Sequence, residues 1–238
     1  MESDGPNIHE SDFYIRFGEA SHMNIEEIRG RSRVILAIDE EEPRKYWNVL
    51  DAVGSSVKAV KLGWMAILSL GSDGVKSLIN GHDDKYFIMD AKMADVNFIN
   101  EKIARRMAGL GFDGIIMHGF IGPSNAPPSV MDVFVLISMT QGPTLYDASL
   151  ERAMDYTKAI DRRGIVVPGN KPDIIRKARE QFPSDVIISP GIGAQGGSIG
   201  CAVKHGADFG IVGRSIYESS DPVESLKRLE REAAESQC

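Results

Sequence analysis

From Arg33 onward, apolar runs of strand length alternate with segments of helical character. Eight such runs stand out: Val34–Ile38, Val57–Leu62, Tyr86–Met89, Gly114–Met117, Val133–Met139, Gly164–Val167, Val186–Ser189 and Phe209–Val212. Between and after them the spacing predicts helices over Pro43–Val53, Val75–Asn80, Asp95–Leu110, Asp147–Asp161, Pro172–Gln181, Gly197–His205 and Pro222–Ala234. The segment Pro123 to Met131 holds three prolines and reads as a turn. Short apolar strands alternating with helices indicate parallel βαβ units buried on both faces. Eight of them, joined by right-handed crossovers, predict a single-domain α/β fold, a (β/α)8 TIM barrel spanning residues 23–238.

Barrel enzymes place their active sites at the C-terminal ends of the strands, and there the polar pattern becomes informative. Asp39 follows the first run in phase with Ile35 and Ala37, and Lys61 is in phase with Val57 and Ala59. The third run continues into Asp90-Ala91-Lys92-Met93-Ala94-Asp95. Strand alternation would put Ile88, Asp90 and Lys92 on one face. The fourth run ends near His118 and the eighth near Arg214. Charges recurring at strand ends, in phase with apolar core positions, describe a polar mouth on an apolar barrel. Carboxylates and ammonium groups interleaved there are compensated charges, since an unpaired ion is costly to bury.

A second signal lies at the last two strands. The seventh runs into Ser189-Pro190-Gly191-Ile192-Gly193-Ala194-Gln195-Gly196-Gly197, and the eighth into Val212-Gly213-Arg214-Ser215. Glycines let backbone N–H groups approach an anion closely, Arg214 offers a planar fork of donors, and Ser215 is placed to cap a following helix. Loops after strands seven and eight are frequent phosphate sites in this architecture, so a phosphorylated ligand is expected.

Composition narrows the classes. The chain has 238 residues, 42% hydrophobic and 26% charged, which suits one globular core; a net charge of -7 disfavours nucleic acid and anionic membranes as partners. No apolar run approaches the roughly 18–20 residues of a membrane span, and the cytoplasm is the expected compartment. The two cysteines, Cys201 and Cys238, show no framework and no metal-ligand spacing, and reduced thiols are expected. Residues 1–22 are polar and aperiodic, and the ending Ala20-Ser21-His22-Met23 reads as an expression-vector scar or a disordered leader. His118 lacks a second ligand at metal spacing and reads as a packed, hydrogen-bonded histidine.

Taken together, the D-x-K-x-x-D motif at Asp90–Asp95, the stretch Ser189–Gly197 and Val212-Gly213-Arg214-Ser215-Ile216-Tyr217 resemble the orotidine 5′-monophosphate decarboxylase family in its compact, archaeal-type form. Leu36–Asp39 and Val60–Gly63 match that family's first two strand ends, and the likeness runs from Arg33 to the last helix. The resemblance implies a carboxy-lyase that needs no metal or organic cofactor and acts as a homodimer. By position, Lys92 would donate the proton to C6 of the pyrimidine, and Asp90 would sit beside the departing carboxylate. Lys61 would lie between the acids and the ribose, and Asp39 would bind ribose hydroxyls. Asp95 would reach the neighbouring subunit's site. Thr140 would read the pyrimidine edge, Gln195 would bridge phosphate and base from a closing loop that includes Pro190, and Gly213 with Arg214 would hold the phosphate.

The likeness is incomplete after Asp95, where Val96-Asn97-Phe98-Ile99 replaces the family's Ile-Pro and later Thr, so Ile99 lacks a hydroxyl for the ligand. Two alternatives follow from the same residues. One is a magnesium-dependent sugar-phosphate lyase, like keto-gulonate phosphate decarboxylase or hexulose phosphate synthase, with Asp39, Asp90 and Asp95 around the cation. The other is a catalytically inactive barrel that binds a phosphorylated ligand.

Overall fold

The computed structural model describes residues 23–238, so the expectation for the leader lies outside the described residues. Eight parallel strands close on themselves in sequence order: β1 Val34–Ile38, β2 Ala59–Gly63, β3 Tyr86–Met93, β4 Gly114–His118, β5 Asp132–Leu136, β6 Gly164–Val166, β7 Val186–Ser189 and β8 Phe209–Val212. β8 pairs back onto β1 through Val34–Gly210, Ile35–Ile211 and Leu36–Val212. Among the described residues ten α-helices accompany them: α1 Ile25–Arg29, α2 Pro43–Val53, α3 Trp64–Asn80, α4 Asn97–Leu110, α5 Leu145–Ala148, α6 Leu150–Lys158, α7 Pro172–Gln181, α8 Ile199–Lys204, α9 Arg214–Tyr217 and α10 Pro222–Glu235. The expected (β/α)8 barrel is present. Only 3₁₀ turns at Gly119–Ile121 and Pro123–Asn125 join β4 to β5, as the prolines predict.

Strand alternation divides the apolar residues into two cores. Ile35, Ala59, Ile88, Phe134, Ile188 and Phe209 fill the barrel, while Leu36, Val60, Phe87, Val135 and Ile187 face the helices. α1 closes the N-terminal end of the barrel by burying Ile25 and Ile28 against the inner core. The opposite end is left for a ligand.

Four local expectations need correction. α3 starts at Trp64, directly after β2, and passes a break at Gly71 (φ 67°) before the predicted segment; no turn residue separates strand from helix to mark that start. The helix predicted over Asp147–Asp161 is two, α5 and α6, divided at Ser149. Ser215 lies within α9, whose N-cap is Gly213, and caps nothing. Cys201 and Cys238 are bonded as a disulfide. α10 runs back past α8 and delivers Cys238 onto it, a contact across 37 positions that spacing in the sequence does not display.

Candidate active site

Four charges form an alternating chain across the mouth of the barrel. Lys61 Nζ on β2 lies 3.4 Å from Asp39 Oδ2 and 3.0 Å from Asp90 Oδ2. Lys92 Nζ donates to both Asp90 oxygens at 2.7 Å. Lys61 is buried, with 6% of its surface exposed, so its charge depends on these partners. Burial pulls its pKa down, but the carboxylates of Asp90 and Asp39 outweigh burial and hold it above the ordinary lysine value. Burial likewise raises Asp90, and the ammonium groups of Lys61 and Lys92 more than reverse this, keeping Asp90 below the ordinary carboxylate value. Fixed, mutually compensated charges of this kind give a preorganised field without a metal.

Lys92 departs from simple alternation. The β3–β4 register shifts between Met89 and Met93, and Lys92 adopts φ 44°, in the left-handed region. Such a bulge re-aims a side chain, and a non-glycine residue held there costs about 1–3 kcal/mol. The consequence is local: the Lys92 side chain, 40% exposed, folds over Asp90 at the rim instead of continuing the inward row. Trp64 Nε1 donates to the Ala91 carbonyl at 2.9 Å and braces the bulge.

A cavity of about 530 Å³ lies above this chain. It is lined by Asp39, Lys61, Asp90 and Lys92, by Thr140, and by Pro190, Gln195, Gly213 and Arg214 on the far side. Nine of the ten residues expected from the sequence are thus gathered around one space of nucleotide size. The Gly-rich loop is folded on itself, with Gly193 N–H donating to Gly197 O and Gly197 N–H to Gly191 O, both at 2.9 Å. Gly193 has φ 73°, and a Cβ there would meet Ser215 Oγ at 2.6 Å, so only glycine lets this loop approach the start of α9. The floor is apolar: Ile116, Leu136, Val166 and Ile211.

Asp95 is the residue not brought in. It is exposed, its Oδ1 accepts from the Val96 amide at 2.7 Å, and among the described residues no ion pair joins it to Lys92. Its loop is nevertheless fixed. Asn100, fully buried, accepts from Asp95 N–H at 3.3 Å and donates to Asp95 O at 2.7 Å and to Asn125 O at 2.8 Å. Asn97 adds a bond to Ala126 O at 2.6 Å. The asparagines thereby tie the loop after β3 to the loop after β4.

His118 is packed as expected. Its Nδ1 lies 2.9 Å from Tyr146 Oη, and its ring stacks on Tyr146 and packs tilted against Phe120, the three rings in mutual contact. Burial and the Lys92 charge lower its pKa, against an opposing pull from Asp90. The loop after β5 is held at its far end by Asp147, which accepts from the Thr144 amide and hydroxyl and pairs with Lys171 at 2.7 Å. The Lys171 and Thr144 hydrogen bonds bring the Asp147 carboxyl down to about 2. Among the lining residues that the sequence did not assign is Ser138, two positions past the end of β5 at Leu136. It is 1% exposed, and its Oγ has no hydrogen-bond partner among the described residues. Its only sequence signal was phase with Phe134 and Leu136.

The profile of the orotidine 5′-phosphate decarboxylase / HUMPS family matches residues 32–229. Orotidine 5′-phosphate decarboxylase of Pyrococcus furiosus is 32% identical over 207 residues, covering 85% of this chain and 98% of that protein. The Saccharolobus solfataricus enzyme of the same name is 34% identical over 215 residues, covering 84% and 91%. The crystal structure of orotidine 5′-monophosphate decarboxylase from Metallosphaera sedula superposes with a TM-score of 0.77 at 33% identity, covering 87% of this chain and 100% of that one.

Proposed function

The chain belongs to the orotidine 5′-phosphate decarboxylase / HUMPS family, and from that premise we propose that it converts orotidine 5′-monophosphate to UMP and CO2, a step of pyrimidine biosynthesis. The observation that carries the reading is the Asp39–Lys61–Asp90–Lys92 chain at the edge of a cavity whose other wall is a glycine-rich anion loop with Arg214. Phosphate binds the backbone of that loop together with Gly213 and Arg214, and Gln195 spans phosphate and base. Thr140 reads the pyrimidine edge, the ribose hydroxyls meet Asp39, and C6 comes to the Lys92 ammonium.

Cleavage of the C6–carboxylate bond leaves its electron pair on C6, where no carbonyl is placed to delocalise it. An ammonium fixed by Asp90 lowers the energy of that charge as it develops, which is where electrostatic preorganisation contributes most. The Lys92 proton then passes to C6, giving UMP and a neutral amine that solvent reprotonates. Binding of the remote phosphate supplies energy to order the Gln195 loop over the reacting atoms. The sugar-phosphate lyase alternative would need Asp90 for a cation, yet both its oxygens already accept from ammonium groups.

A homodimer completes the reading. Trp64, Leu68, Val96, Phe98 and Phe120 are large, apolar and exposed, and they sit on loops and helix starts that follow β2, β3 and β4, beside Asp95. Clustered exposed apolar residues mark association surfaces, and a second copy docked there would carry Asp95 into its neighbour's cavity. No helix among the described residues is long and apolar enough to cross a membrane, and we place the enzyme in the cytoplasm. The deciding experiment follows the loss of orotidylate absorbance with and without excess EDTA. Turnover that ignores EDTA supports the proposal; turnover rescued only by magnesium moves the barrel to the lyase alternative.

A further inference from the structure

The disulfide between Cys201 and Cys238 is accompanied by an unexpected third group. His205 Nδ1 lies 3.7 Å from each of the two sulfur atoms. Cys201 lies within α8, His205 is one turn on at the C-cap of that helix, and Cys238 arrives from beyond α10. The approach of the two segments is built in: a Cβ at Gly200 would meet Glu232 O at 2.6 Å and Gln237 O at 2.8 Å. Glycine at that position lets the backbone after α10 rest on α8, which brings the three ligand-type side chains together independently of the sulfur–sulfur bond. None of the three lines the catalytic cavity.

We propose that in its dithiol form this cluster is a binding site for a thiophilic divalent cation such as zinc, held by Cys201 Sγ, Cys238 Sγ and His205 Nδ1. In the reducing compartment assigned above, paired cysteines beside a histidine fit metal ligation better than a persistent disulfide. The geometry agrees. Zinc bonds of about 2.3 Å to sulfur and about 2.0 Å to nitrogen in tetrahedral array set a sulfur-to-nitrogen edge of about 3.5 Å, and both edges here are 3.7 Å. Only the two sulfurs must separate, and Cys238 is exposed at the end of its segment. Two electrons and two protons from a reductant break the Sγ–Sγ bond to give two thiols. The cation then displaces both thiol protons to solvent, while the imidazole proton shifts to Nε2. His205 Nδ1 gives up a 2.9 Å bond to the Cys201 carbonyl, but that carbonyl keeps the His205 backbone N–H at 3.2 Å. Water completes the fourth position on the solvent side. The bound ion would staple the residues after α10 to α8, the helix into which the glycine-rich loop runs.

The test uses the full chain, reduced anaerobically with excess phosphine, desalted and titrated with Co2+. The expected result is one equivalent bound, with the visible bands of tetrahedral cobalt and a sulfur-to-metal charge-transfer band. Zn2+ should abolish both and raise the melting temperature of the reduced chain. His205→Ala and Cys238→Ser should each weaken cobalt binding at least tenfold while decarboxylation of orotidine 5′-monophosphate and circular dichroism stay unchanged. Absence of the bands in the fully reduced chain, or bands that persist in both variants, would overturn the site. The readout is spectroscopic and independent of turnover, so failure of the decarboxylase reading would register separately.

Discussion

At the scale of single residues, Asp90 is the hinge of the electrostatics. It accepts from Lys61 and Lys92 at once, and it is the one group that raises the otherwise depressed pKa of His118. His118 therefore titrates below its ordinary 6.5 in the folded chain, and in Asp90→Asn it titrates lower still. Proton NMR of the imidazole follows both; a His118 pKa above 6.5, or one that rises in the variant, contradicts the charge assignment. The sign for stability follows by linkage. A group depressed on folding contributes stability that is present above its unfolded pKa, about 6.5 for histidine, and is lost as pH falls through the folded value. Asp90 behaves the same way below about 3.9, and Lys61, raised on folding, contributes below about 10.4 and loses it as pH rises through its folded value. Between those limits the Lys61–Asp90 pair holds its charges. The residues of this chain of charges were legible because each sits at a strand end in phase with apolar neighbours. The positive φ of Lys92 was not, because no side-chain chemistry announces a lysine forced out of the extended region.

At the scale of elements, two loops depend on one amide. Asn100, on the first turn of α4, is buried and satisfied by Asp95 and Asn125, so it fixes the loop that presents Asp95. Asn100→Ala leaves two carbonyls without that donor and is expected to destabilise the fold by about 1–3 kcal/mol, the cost of stranding buried polar groups. It should also lower kcat by about tenfold while leaving UMP affinity nearly unchanged. Thermal unfolding and kinetics check both; a stability loss with kcat intact would make Asn100 a purely structural residue. The limits of β1, β7, β8, α2 and α7 were readable because apolar runs or proline starts mark them. The start of α3 was hidden where the strand passes into helix without a turn, and the α5–α6 division was hidden because a single serine makes it. Asn100 itself reads as an ordinary helix residue until the loop after β4 is seen beside it.

At the scale of the whole molecule, the barrel collects nine expected residues from strands and loops far apart in the chain, and leaves Asp95 outside on an apolar rim. Closure of eight strands was legible from their count; the Cys201–Cys238 contact was not, since it arises only when the last helix returns across α8. A shared site predicts complementation. Asp95→Asn and Lys92→Ala should each be nearly inactive, yet a fully exchanged one-to-one mixture should regain up to about a quarter of wild-type activity per site, because about half of its dimers are mixed and one of the two cavities in each then has an intact Lys92 and Asp95. Subunit exchange verified by mass spectrometry without any recovery would place Asp95 outside its neighbour's cavity.

The central claim is that the ammonium of Lys92, held by Asp90, stabilises the charge on C6 and then supplies the proton. The direct measurement is kcat for orotidine 5′-monophosphate in Lys92→Ala, paired with UMP affinity by calorimetry. The account predicts that kcat falls by more than about 10³-fold, the upper end for losing one preorganised electrostatic donor, while UMP affinity changes by less than about tenfold because phosphate, ribose and base contacts remain. Near-wild-type turnover in that variant, or a loss expressed wholly in UMP affinity, would contradict it.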